Sequence, residues 1–131
     1  MSKPFLYFDT ETTDAQIKDL IQLAFITDSD VKLNMYFKPT QNISFAAMAV
    51  HHITPEFLED KPKLEEAKLP LENIDPEFIG ETLEDYLNFL ANKYIWVAHN
   101  VEFDLEVLNR KGIKIPEYIC TLKLARNMFH E

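Results

Sequence analysis

Asp9 and Glu11 stand two residues apart at the end of an apolar run, Phe5-Leu6-Tyr7-Phe8. Side chains of a strand alternate with period two, so both carboxylates leave on one face, roughly 7 Å apart along the chain. Two such charges repel each other. Both stay ionised near neutral pH when a cation lies between them or water screens them, and oxygen-only ligands select a hard divalent ion such as magnesium or manganese. An acidic strand end running into a turn has the same sequence, so Asp-x-Glu needs a second feature to decide its meaning.

That feature is Val97-Ala98-His99-Asn100-Val101-Glu102-Phe103-Asp104. Asn100 is suited to cap a helix, and Asp104, four residues on, then falls in its first turns on the same face. A carboxylate there is favoured by the helix dipole by about 0.3–1 kcal/mol, so taken singly Asp104 reads as a surface acid and His99 as a satisfied strand-end histidine.

The elements that must position these groups follow from periodicity. The four apolar residues before Asp9 read as a buried strand. Asp19 to Thr27 and Lys32 to Lys38 read as two more, the last stopped by Pro39, and the short connections make the three an antiparallel meander. Ser44 caps a short buried helix reaching Val50; Thr54 caps another with Pro55 at its first position. Glu59 to Gly80, broken by Pro62, Pro70 and Pro76, reads as loop. Thr82 then caps an amphipathic helix whose Leu83, Tyr86, Leu87 and Leu90 share one face. Tyr94 to Ala98 is an apolar strand that a crossover can lay parallel to the first. Asn100 opens a helix with Val101, Leu105 and Leu108 inward, ended by Gly112. A strand at Tyr118 to Cys120 and a helix from Thr121, with Leu122, Ala125 and Phe129 inward, complete a mixed α/β domain. Ligand sites in such sheets favour the C-terminal ends of strands, where both acidic motifs fall.

A chain of 131 residues makes one domain with a real core, burying roughly two thirds of its extended surface. No run is long and apolar enough to span a bilayer. The sole cysteine, Cys120, has no internal disulfide partner, which fits a reducing, cytoplasmic setting. Thirteen basic against 22 acidic residues give a net charge of −9, which argues against holding a polyanion on a basic face. The imbalance is local: from Glu56 to Asp85 eleven acids face only Lys61, Lys63 and Lys68. Nucleic acid bound elsewhere must enter a confined site in which metal ions supply positive charge.

Asp9-Thr10-Glu11-Thr12-Thr13, Val50-His51-His52-Ile53-Thr54 and His99-Asn100-x-x-Phe103-Asp104 resemble, in that order, the first two motifs of the DEDD 3′–5′ exonucleases, nearest their DnaQ-like proofreading members. Cys120 to Arg126 is similar to the strand–helix passage that follows the second motif. The resemblance implies a ribonuclease H-like mixed sheet, flanked by helices and here C-terminally truncated, and hydrolysis of the 3′-terminal phosphodiester with two divalent cations, Mg2+ or Mn2+. By the same resemblance Asp9 and Glu11 are direct ligands, Asp9 bridging both ions, and Asp104 joins the second ion largely through water. Thr12 and Thr13 offer contacts to the terminal nucleotide, His51 to Thr54 abut its base with Ile53 as an apolar contact, and Asn100 and Phe103 complete the substrate side. Phe103 reads equally as a wall for the base and as core.

The implied partners are a single-stranded or frayed DNA 3′ end and, for the proofreading members, the catalytic subunit of DNA polymerase III. The motifs do not state the sugar, so an RNA-directed relative stays open, as does a non-catalytic module docking on a polymerase. Two positions depart from the pattern: Asp14 and His52 stand where the family usually has glycine, and His52 reads as a solvated loop residue. The third family motif, with the fourth acid and its His or Tyr, has no counterpart. Residues 1–131 are therefore expected to be the N-terminal portion of one exonuclease domain, binding metal weakly, hydrolysing DNA poorly or not at all, and self-associating through exposed apolar surface.

Overall fold

The computed structural model describes residues 3–70 and 72–123. A five-stranded sheet in the order β3-β2-β1-β4-β5 forms the centre. β1 (Phe5–Thr12), β2 (Leu20–Thr27) and β3 (Lys32–Tyr36) are the expected antiparallel meander. β4 (Ile95–Ala98) lies parallel to β1, with Leu6 opposite Trp96, and β5 (Tyr118–Cys120) lies parallel to β4. Between them run α1 (Phe45–His51), α2 (Pro55–Leu58), a single 3-10 turn at Leu64–Glu66, α3 (Leu83–Lys93) and α4 (Val101–Arg110).

One face of the sheet carries the core. Leu6 and Phe8 of β1, Leu23 and Phe25 of β2 and Trp96 of β4 pack against Leu83, Tyr86, Leu87 and Leu90 of α3 and Val101, Val107 and Leu108 of α4. Trp96 stacks edge-on to Phe8 at 5.0 Å, and its indole N–H donates to the Leu90 carbonyl at 3.0 Å, which satisfies the one polar atom such a ring buries. The opposite face is not covered by any described element: Tyr7 and Ile26 are 44% and 41% exposed. The run before Asp9, expected to be buried, is thus buried on alternate residues only, because helices pack on one side of it.

Three local readings are corrected. α1 buries none of its residues completely, although Ser44 caps it as expected by accepting from the Ala47 N–H. Asn100 makes no side-chain cap; only its carbonyl accepts the first helical N–H groups, from Phe103 and Asp104. In α4 the inward positions are Val101, Asp104, Val107 and Leu108, while Leu105 is half-buried. Thr54 and Thr82 cap their helices, and Gly112 ends α4 at φ 83°, a conformation that glycine adopts without a Cβ penalty. The helix from Thr121 is described only to Lys123, so Ala125, Arg126 and Phe129 lie outside the described residues.

The proline-broken stretch 59–80 is irregular but not loose. Asp75 is 1% exposed, and its carboxylate accepts from Lys93 Nζ at 2.7 Å, the Tyr94 hydroxyl at 2.9 Å and the Glu77 N–H at 2.9 Å. Its own N–H donates to the Tyr86 hydroxyl at 2.9 Å. Burial raises the carboxyl's proton affinity, but the hydrogen bonds led by Lys93 outweigh it, and Asp75 stays below its usual range.

Candidate active site

The alternation of β1 decides what each side chain can do. Leu6, Phe8 and Thr10 point into the core; Tyr7, Asp9 and Glu11 point to the open face. At Glu11 the pairing with β2 slips: Glu11 lies opposite Gln22 and Thr12 opposite Leu20, so β2 contributes one extra residue. Such a bulge bends the strand that carries it, here β2 at Ile21. Thr12 and Thr13 are both buried, while Asp9 and Glu11 remain on the accessible side.

The chain after the bulge is held by its own polar groups. Thr13 is 0% exposed; its hydroxyl accepts from the Asp19 N–H at 3.2 Å and from Gln41 Nε2 at 2.9 Å. The Thr12 hydroxyl donates to the Asp14 carbonyl at 2.9 Å. Asp14, the departure from glycine, builds the turn: Oδ1 accepts from the N–H groups of Gln16, Ile17 and Lys18 at 2.9, 2.6 and 3.2 Å. Those backbone donors, Ile17 first, hold its carboxyl below the usual range.

Both ends of α1 are tied to the end of β1. The Ser44 N–H donates to the Thr13 carbonyl at 2.9 Å, and His51 Nε2 lies 3.1 Å from the Thr12 carbonyl. His51 Nδ1 accepts the Ile53 N–H at 3.0 Å, so Nε2 carries the proton and donates to Thr12. Ile53 is buried with Ile21, Ile43 and Leu58 in a second core cluster and supports the loop from beneath. His52 is exposed at φ 59°, with its N–H donating to the Met48 carbonyl at 2.8 Å. This is the left-handed helix C-cap at which glycine is strain-free, which explains the glycine that the resemblance leads one to expect.

Asp104 reaches the same region from α4. It is 5% exposed, and the Thr10 hydroxyl donates to its Oδ1. Burial, opposed by that hydrogen bond and reinforced by the charges of Asp9 and Glu11, pushes its pKa up to about 6. Glu11 is raised in the same way, by burial first and the charge of Asp9 second, with His51 opposing. The three carboxylates therefore sense one another. As they stand, no three His, Cys, Asp or Glu side chains among the described residues are gathered closely enough to hold one ion together. Asp9 and Glu11 share an accessible face, and Asp104 stands behind them. The donor set, all carboxylate oxygen and electrostatically strained, suits a hard divalent cation.

Beside the carboxylates lies a groove of about 350 Å³, lined by Glu11 and Thr12, by Ala46, Val50 and His51 of α1, and by Phe103 of α4. Phe103 is half-buried, with Lys18 Nζ 5.1 Å from its ring centre. Asn100 and His99 are exposed at the end of β4; His99 Nδ1 lies 3.0 Å from the Thr121 hydroxyl. A wider trough of about 790 Å³ runs along the open sheet face past Tyr7, Asp9, Ile26, Lys32, Val97 and His99. The sequence motifs did not point to Ala46 or the ordering role of Asp14, and they contain Val50 without giving it a contact. Their signal is the apolar composition of α1 and an Asx turn that Asp14 is able to nucleate.

An α/β domain with an oxygen-donor site at the C-terminal end of its central strand is thus defined. Residues 6–131 match the RNase T exonuclease family, and the chain belongs to that family, whose members generally depend on divalent metal. Exodeoxyribonuclease 10 of Escherichia coli is 32% identical over 126 residues, 92% of this chain and 46% of that protein. The DNA polymerase III epsilon subunit of Buchnera aphidicola is 35% identical over 106 residues, 73% of this chain and 38% of that protein. The chain thus spans less than half the length of these relatives. Among solved structures, exonuclease X bound to 5′-overhanging duplex DNA aligns with a TM-score of 0.63 at 30% identity, covering 96% of this chain and 64% of that one. Exonuclease I without ligand, at a TM-score of 0.68 and 18% identity, shares the ribonuclease H-like fold.

Proposed function

We propose that these residues belong to a single 3′–5′ exodeoxyribonuclease domain that removes terminal nucleotides from single-stranded or frayed DNA ends. The observation that carries the reading is the placement of three carboxylates, Asp9, Glu11 and Asp104, beside a groove whose Val50 and Phe103 offer apolar surface to a base. The names of the relatives favour DNA over RNA. Similarity to the epsilon subunits adds a polymerase catalytic subunit as partner, and the family setting adds a cytoplasmic location.

Asp9 and Glu11 would hold divalent cations, magnesium or manganese, with Asp104 reaching the second through water. Bound there, the cations supply Lewis acidity at the scissile phosphate and charge for the departing oxygen. Hydrolysis adds the oxygen of water to the terminal phosphorus, breaks its bond to the 3′ oxygen of the preceding nucleotide, and moves one proton from water to that oxygen. The protein's own contribution is orientation. Thr10 fixes the Asp104 carboxylate, Thr13 and the Asp14 turn hold the end of β1, and His51 keeps α1 at the distance that leaves the groove open. Phe103 forms the wall of the groove against the terminal base.

Purified protein incubated with magnesium and a 3′-labelled single strand is expected to release terminal mononucleotides only slowly, and Asp9→Ala, at an exposed position, to reduce release to background. Release that persists in Asp9→Ala sinks the assignment, as does a 3′ label that stays on progressively shorter fragments.

A further inference from the structure

Helix α1 is apolar where a helix is normally polar. Its exposed residues are Phe45, Ala46, Ala49 and Val50, with Phe45 87% and Val50 78% exposed. At about 100° per residue these four occupy one continuous arc of about 140°. The remaining arc, with Ala47 and Met48, packs on the cluster around Ile21 and Ile53. Nothing in the described structure covers the outer arc. It is also joined to the groove, because Ala46 and Val50 line both.

The charge around it is equally selective. In a chain with 22 acids, the 25 residues from Val31 to Pro55 contain none, and they carry Lys32, Lys38, His51 and His52. α1 lies in the middle of that segment. An apolar helix without carboxylates, continuous with a site rich in them, suits a ligand with flat apolar faces and an anionic backbone.

We propose that α1 is a stacking platform for the bases that precede the 3′-terminal nucleotide, with Phe45 as its aromatic face; this rests on the exonuclease reading above. Val50 lies at the groove that takes the terminal base. Phe45 is five residues away along the helix, roughly 7.5 Å of axial rise. That distance corresponds to about two base steps at 3.4 Å per nucleotide. Aromatic stacking accepts any base, so the platform adds affinity and reach without sequence preference.

The test is fluorescence anisotropy with thymidine monophosphate and with a tetrathymidylate whose terminal linkage resists hydrolysis. Phe45→Ala is expected to weaken tetranucleotide binding roughly tenfold and to leave mononucleotide binding unchanged. Phe45→Trp is expected to retain wild-type affinity, and abasic sites upstream of the terminal residue to erase the difference between wild type and Phe45→Ala. Equal binding of the tetranucleotide by wild type and Phe45→Ala overturns the platform. So does an equal loss for both ligands. A variant that binds DNA normally but sediments at lower mass reassigns the arc to a protein contact. If wild type binds neither ligand, the exonuclease reading falls and takes the platform with it; if it binds both and Phe45→Ala matches it, only the platform falls.

Discussion

Replacing Asp104 with asparagine in metal-free protein should make the fold more stable at neutral pH and not at acid pH. The side chain is 5% exposed and its pKa is pushed from 3.8 up to about 6, by burial first, against the Thr10 hydrogen bond, and then by Asp9 and Glu11. A carboxyl whose folded pKa lies above its unfolded value favours the folded state in its protonated form. That contribution is complete below pH 3.8 and is lost as pH rises through about 6. Two pKa units at about 1.4 kcal/mol each put the ionisation penalty on the order of 3 kcal/mol above pH 7. Asparagine removes the charge, keeps an Oδ1 that accepts from Thr10, and preserves the volume. Thermal unfolding in a chelator should therefore give the variant a melting temperature higher by roughly 10 °C at pH 8, narrowing to nothing near pH 4. Added magnesium should then raise the wild-type value more than that of the variant, because cation binding to the folded state relieves the same repulsion. A variant no more stable than wild type at pH 8 refutes the reasoning, and so does a difference that does not change with pH.

Two further substitutions test the scaffold. Lys93→Met leaves the buried Asp75 carboxylate without its cation and should destabilise the protein by about 3–5 kcal/mol, read as a lower denaturant midpoint; a loss below about 1 kcal/mol would mean that Tyr94 and the Glu77 N–H suffice. His52→Gly relaxes a φ of 59° at an exposed site. After subtracting the greater freedom of glycine in the unfolded chain, a gain of about 0.5 kcal/mol is expected in urea unfolding, and a loss would show that the imidazole makes a contact of its own.

The meander, the crossover strand and the caps at Ser44, Thr54 and Thr82 were legible because each rests on a local rule: period two in strands, period 3.6 in helices, and a hydroxyl before the first turn. What escaped the sequence depends on partners far along the chain. Asp75 sits among prolines and acids and gives no sign that Lys93, Tyr86 and Tyr94 will enclose it. The four apolar residues of β1 look alike in sequence, yet Tyr7 is exposed and Leu6 is buried, because helices cover only one side of the sheet. The side chains of Thr13 and Ile53, residues that the resemblance sets against the terminal nucleotide, pack in the interior, one bonded to Asp19 and Gln41, the other beside α1. Each belongs to a motif whose spacing shows that it matters and not which way it points.

The position of Asp104 connects the chemistry to the fold. Its carboxylate lies on the packed face of α4, in line with Val101 and Val107, where an apolar residue would serve stability better. The Thr10 hydroxyl, one residue from Asp9 and on the opposite side of β1, is what holds it there. A single strand thus presents Asp9 and Glu11 outward and, through Thr10, fixes the third acid behind them. The distance between the carboxylates is set by the thickness of one strand and the packing of one helix, both rigid. The Thr13 carbonyl just past β1 then accepts the Ser44 N–H that opens α1, so the groove starts where the carboxylates end. Moving α4 by one residue along β1 would bring Leu105 or Phe103 against Thr10 and remove the third acid, which is why the spacing of Asn100 and Asp104 from the end of β4 carries as much information as their identities.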